Sequence, residues 1–314
     1  MFRGFRIIPS NTKIPFLAGR RICFALSIVL VLGSIGLLVV KGLNLGIDFQ
    51  GGILLEVRTS GPANIAEMRG TLSDLKLGEV TLQEFGSPDT ILIRLQRQEG
   101  GEEAQQAAVV AVKGALGSGI EYRRSEVVGP QVSEELLWDG IFAVTASMLA
   151  IMAYIWFRFE WQFGLCGVIA LMHDVITALG LLSLLGIEFN LASVAAILTI
   201  AGYSINDTVV IFDRIRENLR RYKKMAAEDV MDLSLNGTLP RTIMTSFTTL
   251  LTLFALDVLG GEVLRGFSLA LIWGIGVGTY SSICIATPLL LTFKIRRSSV
   301  AQEEPQTASS SEPL

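Results

Sequence analysis

Three cysteines, one histidine and a charged fraction of 18% are thin provision for chemistry in a chain of 314 residues. Cys23, Cys166 and Cys284 each fall inside an apolar run and form no CxxC pair, so neither a disulfide framework nor a cysteine metal site is expected. The chain has no GxGxxG, P-loop, HExxH or GxSxG pattern, which leaves the usual catalytic constellations without residues to stand on. The expectation is no enzyme, no metal and no organic cofactor. A surplus of positive charge is also missing. Lys and Arg number 26 against 29 Asp and Glu, a net charge of -3, which argues against a nucleic-acid partner.

What the chain has in abundance is apolar sequence. Hydrophobic residues make up 51% and the mean hydropathy is +0.53, too apolar for a soluble domain of this size. A spanning helix needs about 20 apolar residues, and 22–40 supplies an uncharged run between Arg20-Arg21 and Lys41. That run is too long for a signal-peptide core and no A-x-A site follows, so a retained anchor is expected. Further runs at 140–157, 163–185, 191–212, 241–256 and 267–293 make six spans. Arg3, Arg6, Lys13, Arg20 and Arg21 precede the first span, Arg158 follows the second, six basic residues from Arg214 to Lys224 follow the fourth, and Lys294, Arg296 and Arg297 follow the sixth. The short loops on the other side hold only Arg265, so the positive-inside rule puts segment 1–21 and tail 294–314 both in the cytoplasm. The tail, rich in Ser, Glu, Gln and Pro, reads as disordered.

Between the first two spans, 42–137 has the composition of a water-soluble domain on the extracytoplasmic side, followed by the remaining five spans in 138–293. Strands are expected at 53–59, 79–85, 90–95 and 120–127, and helices at 65–75, capped by Asn64, and at 102–116. A turn is expected at Ser87-Pro88-Asp89. The order β-α-β-β-α-β is the ferredoxin-like split arrangement.

An ionisable side chain at the centre of a span costs roughly 2.5–3.5 kcal/mol on insertion scales, so each one needs a reason. The third span carries His173-Asp174, the fourth Asn206-Asp207, and the fifth opens with Arg241 just after Pro240. Asp207 lies in the polar, small-residue stretch Gly202-Tyr203-Ser204-Ile205-Asn206-Asp207-Thr208. A carboxylate there is suited to take and release a proton, alternately pairing with and freeing Arg241; the rival reading is a fixed ion pair between helices. His173 and Asp174, about 100° apart on a helix, leave at most one facing a shared proton path, and Asp174 is the better candidate. The alternative for both is interhelical hydrogen bonding. The GxxxG spacing of Gly274 and Gly278 reads as close helix packing. Gly46, Asp48, Gly51 and Gly52, where the chain leaves the first span, fit either a hinge or a rigid turn.

Several of these stretches carry a family resemblance. Gly42-Leu43-Asn44-Leu45-Gly46-Ile47-Asp48-Phe49-Gln50-Gly51-Gly52 resembles the motif that follows the first span in the SecD/SecF family. Gly129-Pro130-Gln131-Val132-Ser133-Glu134-Glu135-Leu136, His173-Asp174-Val175, the stretch from Gly202 to Asn218 and Arg241-Thr242-Ile243-Met244-Thr245-Ser246 are similar to the family's later motifs, with Asn206-Asp207-Thr208 in the version typical of the SecF branch. The resemblance implies a polytopic α-helical fold that is one half of an RND-type arrangement, in the bacterial inner membrane. It also implies a complex with SecD and YajC that assists SecYEG and SecA late in export of a preprotein, with the proton gradient as energy source. The family's relay acid and its arginine fall on Asp207 and Arg241; Asp174 is expected to share in the proton relay, with Asn206, Thr208 and His173 as supporting polar residues. A translocon-stabilising scaffold without proton coupling, or an RND-type small-molecule exporter, are the competing expectations. The exporter class has about twelve spans and two large extracytoplasmic domains per chain.

Overall fold

The computed structural model describes residues 12–117 and 119–293; Arg3, Arg6 and the expected tail lie outside them. A short 3-10 turn leads into α1 (Arg20–Val40), whose 21 residues cover about 31 Å at 1.5 Å each, enough for one crossing. Five more helical spans follow: α5 (Pro130–Arg158), α6 (Trp161–Leu185), α7 (Leu191–Arg221), α8 (Ala227–Leu259), and a last one made of α9 (Glu262–Ser281), a π-helical stretch (Ser282–Ala286) and α10 (Thr287–Thr292). Among the described residues, six helices are thus long and apolar enough to cross a membrane, as expected. Their ends differ from the apolar runs. α5 starts at Pro130, in the favoured first-turn position, ten residues before its run, and α7 continues to Arg221.

The fifth span departs most from expectation. α8 begins at Ala227, so Pro240 lies inside the helix and Arg241 sits midway along it rather than at its start. An internal proline costs about 3 kcal/mol. The early turns bury Val230, Met231 and Leu235 in the same apolar cluster as Phe163 and Phe212, and at roughly 1.5–3 kcal/mol per side chain that burial outweighs the break.

The domain between the first two spans contains β2 (Gly52–Arg58), α3 (Ile65–Ser73), β3 (Val80–Phe85), β4 (Ser87–Leu95), α4 (Gly101–Leu116) and β5 (Glu121–Val128). It is preceded by the two-residue β1 (Asn44–Leu45) and the single helical turn α2 (Ile47–Gln50). All neighbours in its sheet are antiparallel, in the order β3-β4-β2-β5, which is the ferredoxin-like arrangement expected. One face packs Ile53, Leu55, Val57, Ile91, Ile93 and Leu95 against α3 and α4. On the other face Leu54 and Leu92 are buried with Ile47, Phe85 and Val128, so the central strand reads as a continuous apolar run. Asn64 caps α3 through the Glu67 amide at 3.3 Å, as its position foretold.

The turn before β4 is shorter than expected. Gly86, at φ 77°, makes the reversal alone, and β4 begins at Ser87. The carbonyls of Pro88 and Asp89 accept from the amides of Ala63 at 2.9 Å and Thr59 at 2.8 Å, which draws the expected loop into ordered backbone. Beside it, hydrogen bonds from the Ser87 hydroxyl and from Arg58 Nε, the latter at 2.6 Å, hold the Asp89 carboxyl down to about 2. A carboxyl depressed in the folded state stabilises fully above its unfolded value, roughly 4, and that contribution is lost as pH falls towards 2. The protection factors of the Thr59 and Ala63 amides, exchange rates taken relative to the unfolded chain at the same pH, are therefore expected to fall between pH 4 and 2 in the native chain. Asp89→Asn should remove most of that pH dependence; an unchanged profile would refute the assignment.

In the bundle, α6, α7 and the last span form the centre, with 50–56% of their most apolar stretches buried, against 11–17% for α1, α5 and α8. Two apolar clusters fill it. One joins Phe159, Phe163, Phe212, Ile215 and Leu290, and the other Ala178, Leu182, Ile200, Leu271 and Ile275. Between them, on the same three helices, lies a layer of buried polar side chains.

Candidate functional site

That layer is built around Asp174, which is fully buried on α6. Its Oδ2 accepts hydrogen bonds from the hydroxyls of Ser204 on α7 at 2.6 Å and Ser281 on α9 at 2.7 Å. Its Oδ1 lies 2.9 Å from His173 Nδ1. A one-residue step along α6 separates the pair, as expected of neighbours on a helix, yet their side chains meet each other. The two residues diverge along α6, but the histidine ring turns back to meet the carboxylate. His173 Nε2 is buried without a partner among the described residues, and the ring lies 6.3 Å from that of Tyr280. Tyr280 in turn donates to the Cys23 carbonyl at 2.8 Å and meets Ser27 at 2.9 Å, tying α1 to the last span. All three thiols are free.

Small residues let these helices approach. A Cβ on Gly274 would lie 2.8 Å from Ile200 Cγ2, and one on Gly278 would lie 3.1 Å from Ser204 Cβ, so the GxxxG pair is the contact surface of α9 on α7. Directly after it the helix widens into the π stretch. Ser281 and Ser282, adjacent in sequence, then serve different helices: Ser281 bonds Asp174 on α6, and Ser282 meets Thr208 on α7 at 2.8 Å. Thr287 Oγ1 donates to the Ser282 carbonyl at 3.0 Å and fastens the wider turn.

Asp207, one turn beyond Ser204, is different. It is buried, and its Oδ2 has no hydrogen-bond partner among the described residues. Arg241 lies on the neighbouring α8, and among the described residues no ion pair within 4 Å joins it to Asp207. Thr242, next to Arg241, likewise has a buried and unpartnered hydroxyl. Of the expected supporting residues, Thr208 and His173 belong to the layer. Asn206 does not: it is exposed on the outer side of α7, because a one-residue step on a helix turns its side chain by about 100°. Ser204, Ser281, Ser282, Thr242 and Tyr280 were not singled out from sequence. The signal is a pair of adjacent serines in the last span, and a serine three residues before Asp207.

The glycine-rich motif after the first span lies elsewhere, at the junction between the α+β domain and the bundle. Gly51 at φ 71° and Gly52 at φ 124° adopt backbone that other residues avoid. A Cβ on Gly51 would lie 3.1 Å from Ser133 Oγ on α5, so this motif and the one opening α5 pack on each other. Asp48 Oδ2 accepts from the Leu191 amide at 2.9 Å, at the N-terminus of α7. Gly46 donates to the Phe189 carbonyl at 2.9 Å, continuing a parallel pairing of β1 with β6 (Glu188–Phe189).

Comparison with known proteins finds two family models in the chain. "Protein export membrane protein SecD/SecF, C-terminal" matches residues 108–296, and "SecD/SecF GG Motif" matches residues 36–63. A protein translocase subunit SecF of Rickettsia rickettsii is 46% identical over 296 residues, covering 93% of this chain and 96% of that one. The SecF subunit of Rhodobacter capsulatus is 42% identical over 307 residues, 93% of this chain and 92% of that one. Among solved structures, SecDF of Thermus thermophilus, described as a translocon-associated membrane protein, aligns with a TM-score of 0.81 at 35% identity over 92% of this chain. SecDF in a super-membrane-facing form aligns at 0.67 and 36% identity. This chain spans 40% of the length of either solved chain.

Proposed function

Because the chain belongs to the SecD/SecF family of protein-export membrane proteins, we propose that it is a SecF-type auxiliary subunit of the Sec translocase, which works with a SecD partner and uses the proton-motive force late in export. In this reading it resides in the bacterial inner membrane with both ends of the chain in the cytoplasm and the α+β domain outside, where a preprotein emerges from the SecYEG translocon that works with SecA; YajC accompanies the complex. Six spans are half of the twelve-span RND arrangement, and the three poorly buried helices α1, α5 and α8 offer surface for a partner of similar shape or for lipid.

The observation that carries the proposal is the contrast between two buried acids. Asp174 has its oxygens occupied by Ser204, Ser281 and His173, which suits an acid that positions three helices. Asp207 keeps a buried oxygen without a partner among the described residues, with Arg241 on the neighbouring helix but not paired to it. Such an oxygen is free to bind a proton, and losing or gaining one changes its attraction to Arg241. One charge crossing 100 mV releases about 2.3 kcal/mol, enough to bias a domain movement and too little to unfold a stable cargo. The work supplied is therefore pulling, or preventing backsliding.

The test is export of a reporter preprotein into inverted vesicles carrying this chain and SecD, with and without a proton gradient. Asp207→Asn is expected to insert and assemble normally and to lose the gradient-dependent stimulation. Equal stimulation by the variant would favour the scaffold reading.

A further inference from the structure

Between the polar layer and the α+β domain runs a continuous physical connection, and it ends on an ion pair. Asp174 lies on α6 about 16 Å from that helix's outer end at Leu185, at 1.5 Å per residue. Beyond Leu185 the chain turns through Gly186 to Asn190 and re-enters as α7, which carries Ser204 and Asp207. The two helices are tied at depth by the Ser204 to Asp174 bond. Their outer turn is gripped from the domain side. The Asn44 amide group donates to the Gly186 carbonyl at 3.0 Å, β1 pairs with β6, and Asp48 takes the Leu191 amide. Above them, Arg94 of β4 reaches down from the sheet. Its Nη2 is 2.6 Å from Glu188 Oε2 and its Nη1 donates to Asn44 Oδ1 at 3.2 Å, with both charged side chains only about one-fifth exposed.

Nearby residues make room for this pair. A Cβ on Gly46 would meet the Glu188 carboxylate at 2.5 Å, so the Glu188 side chain lies directly over that glycine. Arg94 shares its sheet face with Leu92, whose neighbours Leu54, Phe85 and Val128 floor a cleft of about 770 Å³ between sheet and bundle. The half-buried pair bridges the edge of that cleft. The contacts from Lys41 to Asp48 are hydrogen bonds made largely by backbone groups, whereas this one joins two opposite charges in a sheltered position and is thus the specific element of the junction.

We propose that Arg94 and Glu188 are positioning residues that transmit between the intramembrane acids and the sheet: the α6–α7 hairpin acts as one rigid lever, and the ion pair fixes its outer end to β4. This rests on the proton-coupled reading above. The lever is held at its inner end by Asp174 and, beside the β1–β6 and Asp48 contacts, at its outer end by Glu188, so a change in the Asp207 to Arg241 attraction that tilts α7 reaches β4 through the ion pair.

The test uses the same vesicles with the assembled complex and compares Arg94→Gln, Glu188→Gln, Arg94→Lys and the charge-swapped pair Arg94→Glu with Glu188→Arg, alongside Asp207→Asn. The single neutral variants are expected to assemble, to keep gradient-independent export and to lose most of the gradient-dependent stimulation. Arg94→Lys and the swapped pair should recover it, and loss of the gradient-dependent part alone is what a merely structural contact would not produce. Full stimulation by either single variant overturns the inference and leaves the proton-coupled reading standing. Loss in the singles without recovery in an assembled Arg94→Lys overturns the ionic role. Undiminished stimulation in Asp207→Asn overturns the proton-coupled reading and the lever with it.

Discussion

Replacing Asp174 with alanine is expected to destabilise the membrane bundle by about 2–5 kcal/mol, the sum of three interhelical or local hydrogen bonds at roughly 0.6–1.7 kcal/mol each. Ser281 keeps its second bond, to the Gly278 carbonyl at 3.1 Å, so the loss falls mainly on Ser204 and on His173, which then has neither ring nitrogen satisfied. Burial leaves no water to replace the carboxylate. Asp174→Asn should lose less, because an amide oxygen in the place of Oδ2 still accepts from both serines. The midpoint of thermal unfolding in detergent, compared across wild type, Asp174→Asn and Asp174→Ala, gives the ranking. A change below about 1 kcal/mol in the alanine variant would mean that the serines bond elsewhere without strain and that Asp174 does not hold the three helices. Stability of this kind is separable from proton coupling: Asp207→Asn, which removes no hydrogen bond among the described residues, should leave the same midpoint nearly unmoved.

Two substitutions two residues apart should give opposite results. Gly274→Leu places a side chain where Ile200 already stands, and overpacking of this sort costs typically 1–3 kcal/mol, more where a helix cannot retreat. α9 cannot move off α7 without stretching the Ser281 to Asp174 and Ser282 to Thr208 bonds, so gradient-dependent export should disappear with the packing. Gly276→Leu, by contrast, adds its side chain on the exposed side of the same helix, where a Cβ meets nothing within 4 Å. It should assemble and work as wild type does. Membrane insertion and export measured side by side check both; equal behaviour of the two variants would remove the argument that the Gly274 to Gly278 face sets the site.

Much of the candidate site is legible in the amino-acid sequence. An acid in the middle of an apolar span is conspicuous because its insertion cost is high, so Asp174, Asp207 and Arg241 stood out at once. Serines and threonines did not, since their hydroxyls bond back to their own helix at little cost and are common in spans; Thr245, Thr248, Thr249 and Thr252 do so here. What makes Ser204 and Ser281 matter is the helix opposite, and a single sequence carries no record of which helices are neighbours. The same gap hid Arg94 and Glu188, ordinary surface charges that lie 94 positions apart in the chain and 2.6 Å apart in space.

The amino-acid sequence by itself determined the six spans, the β-α-β-β-α-β order and the cap at Asn64, because apolar run length, period-two alternation and side-chain capping act over a few residues at a time. Helix limits escaped it: α8 runs through Pro240 because its early turns find an apolar cluster to pack into, a gain that exists only once Phe163 and Phe212 have been brought there by other helices. Only the tertiary structure decided that Asp174 would be saturated with donors while Asp207 kept an empty oxygen. Both are aspartates on buried helix faces, and the difference between them lies in which hydroxyls the close approach of α9 to α7 delivers to each.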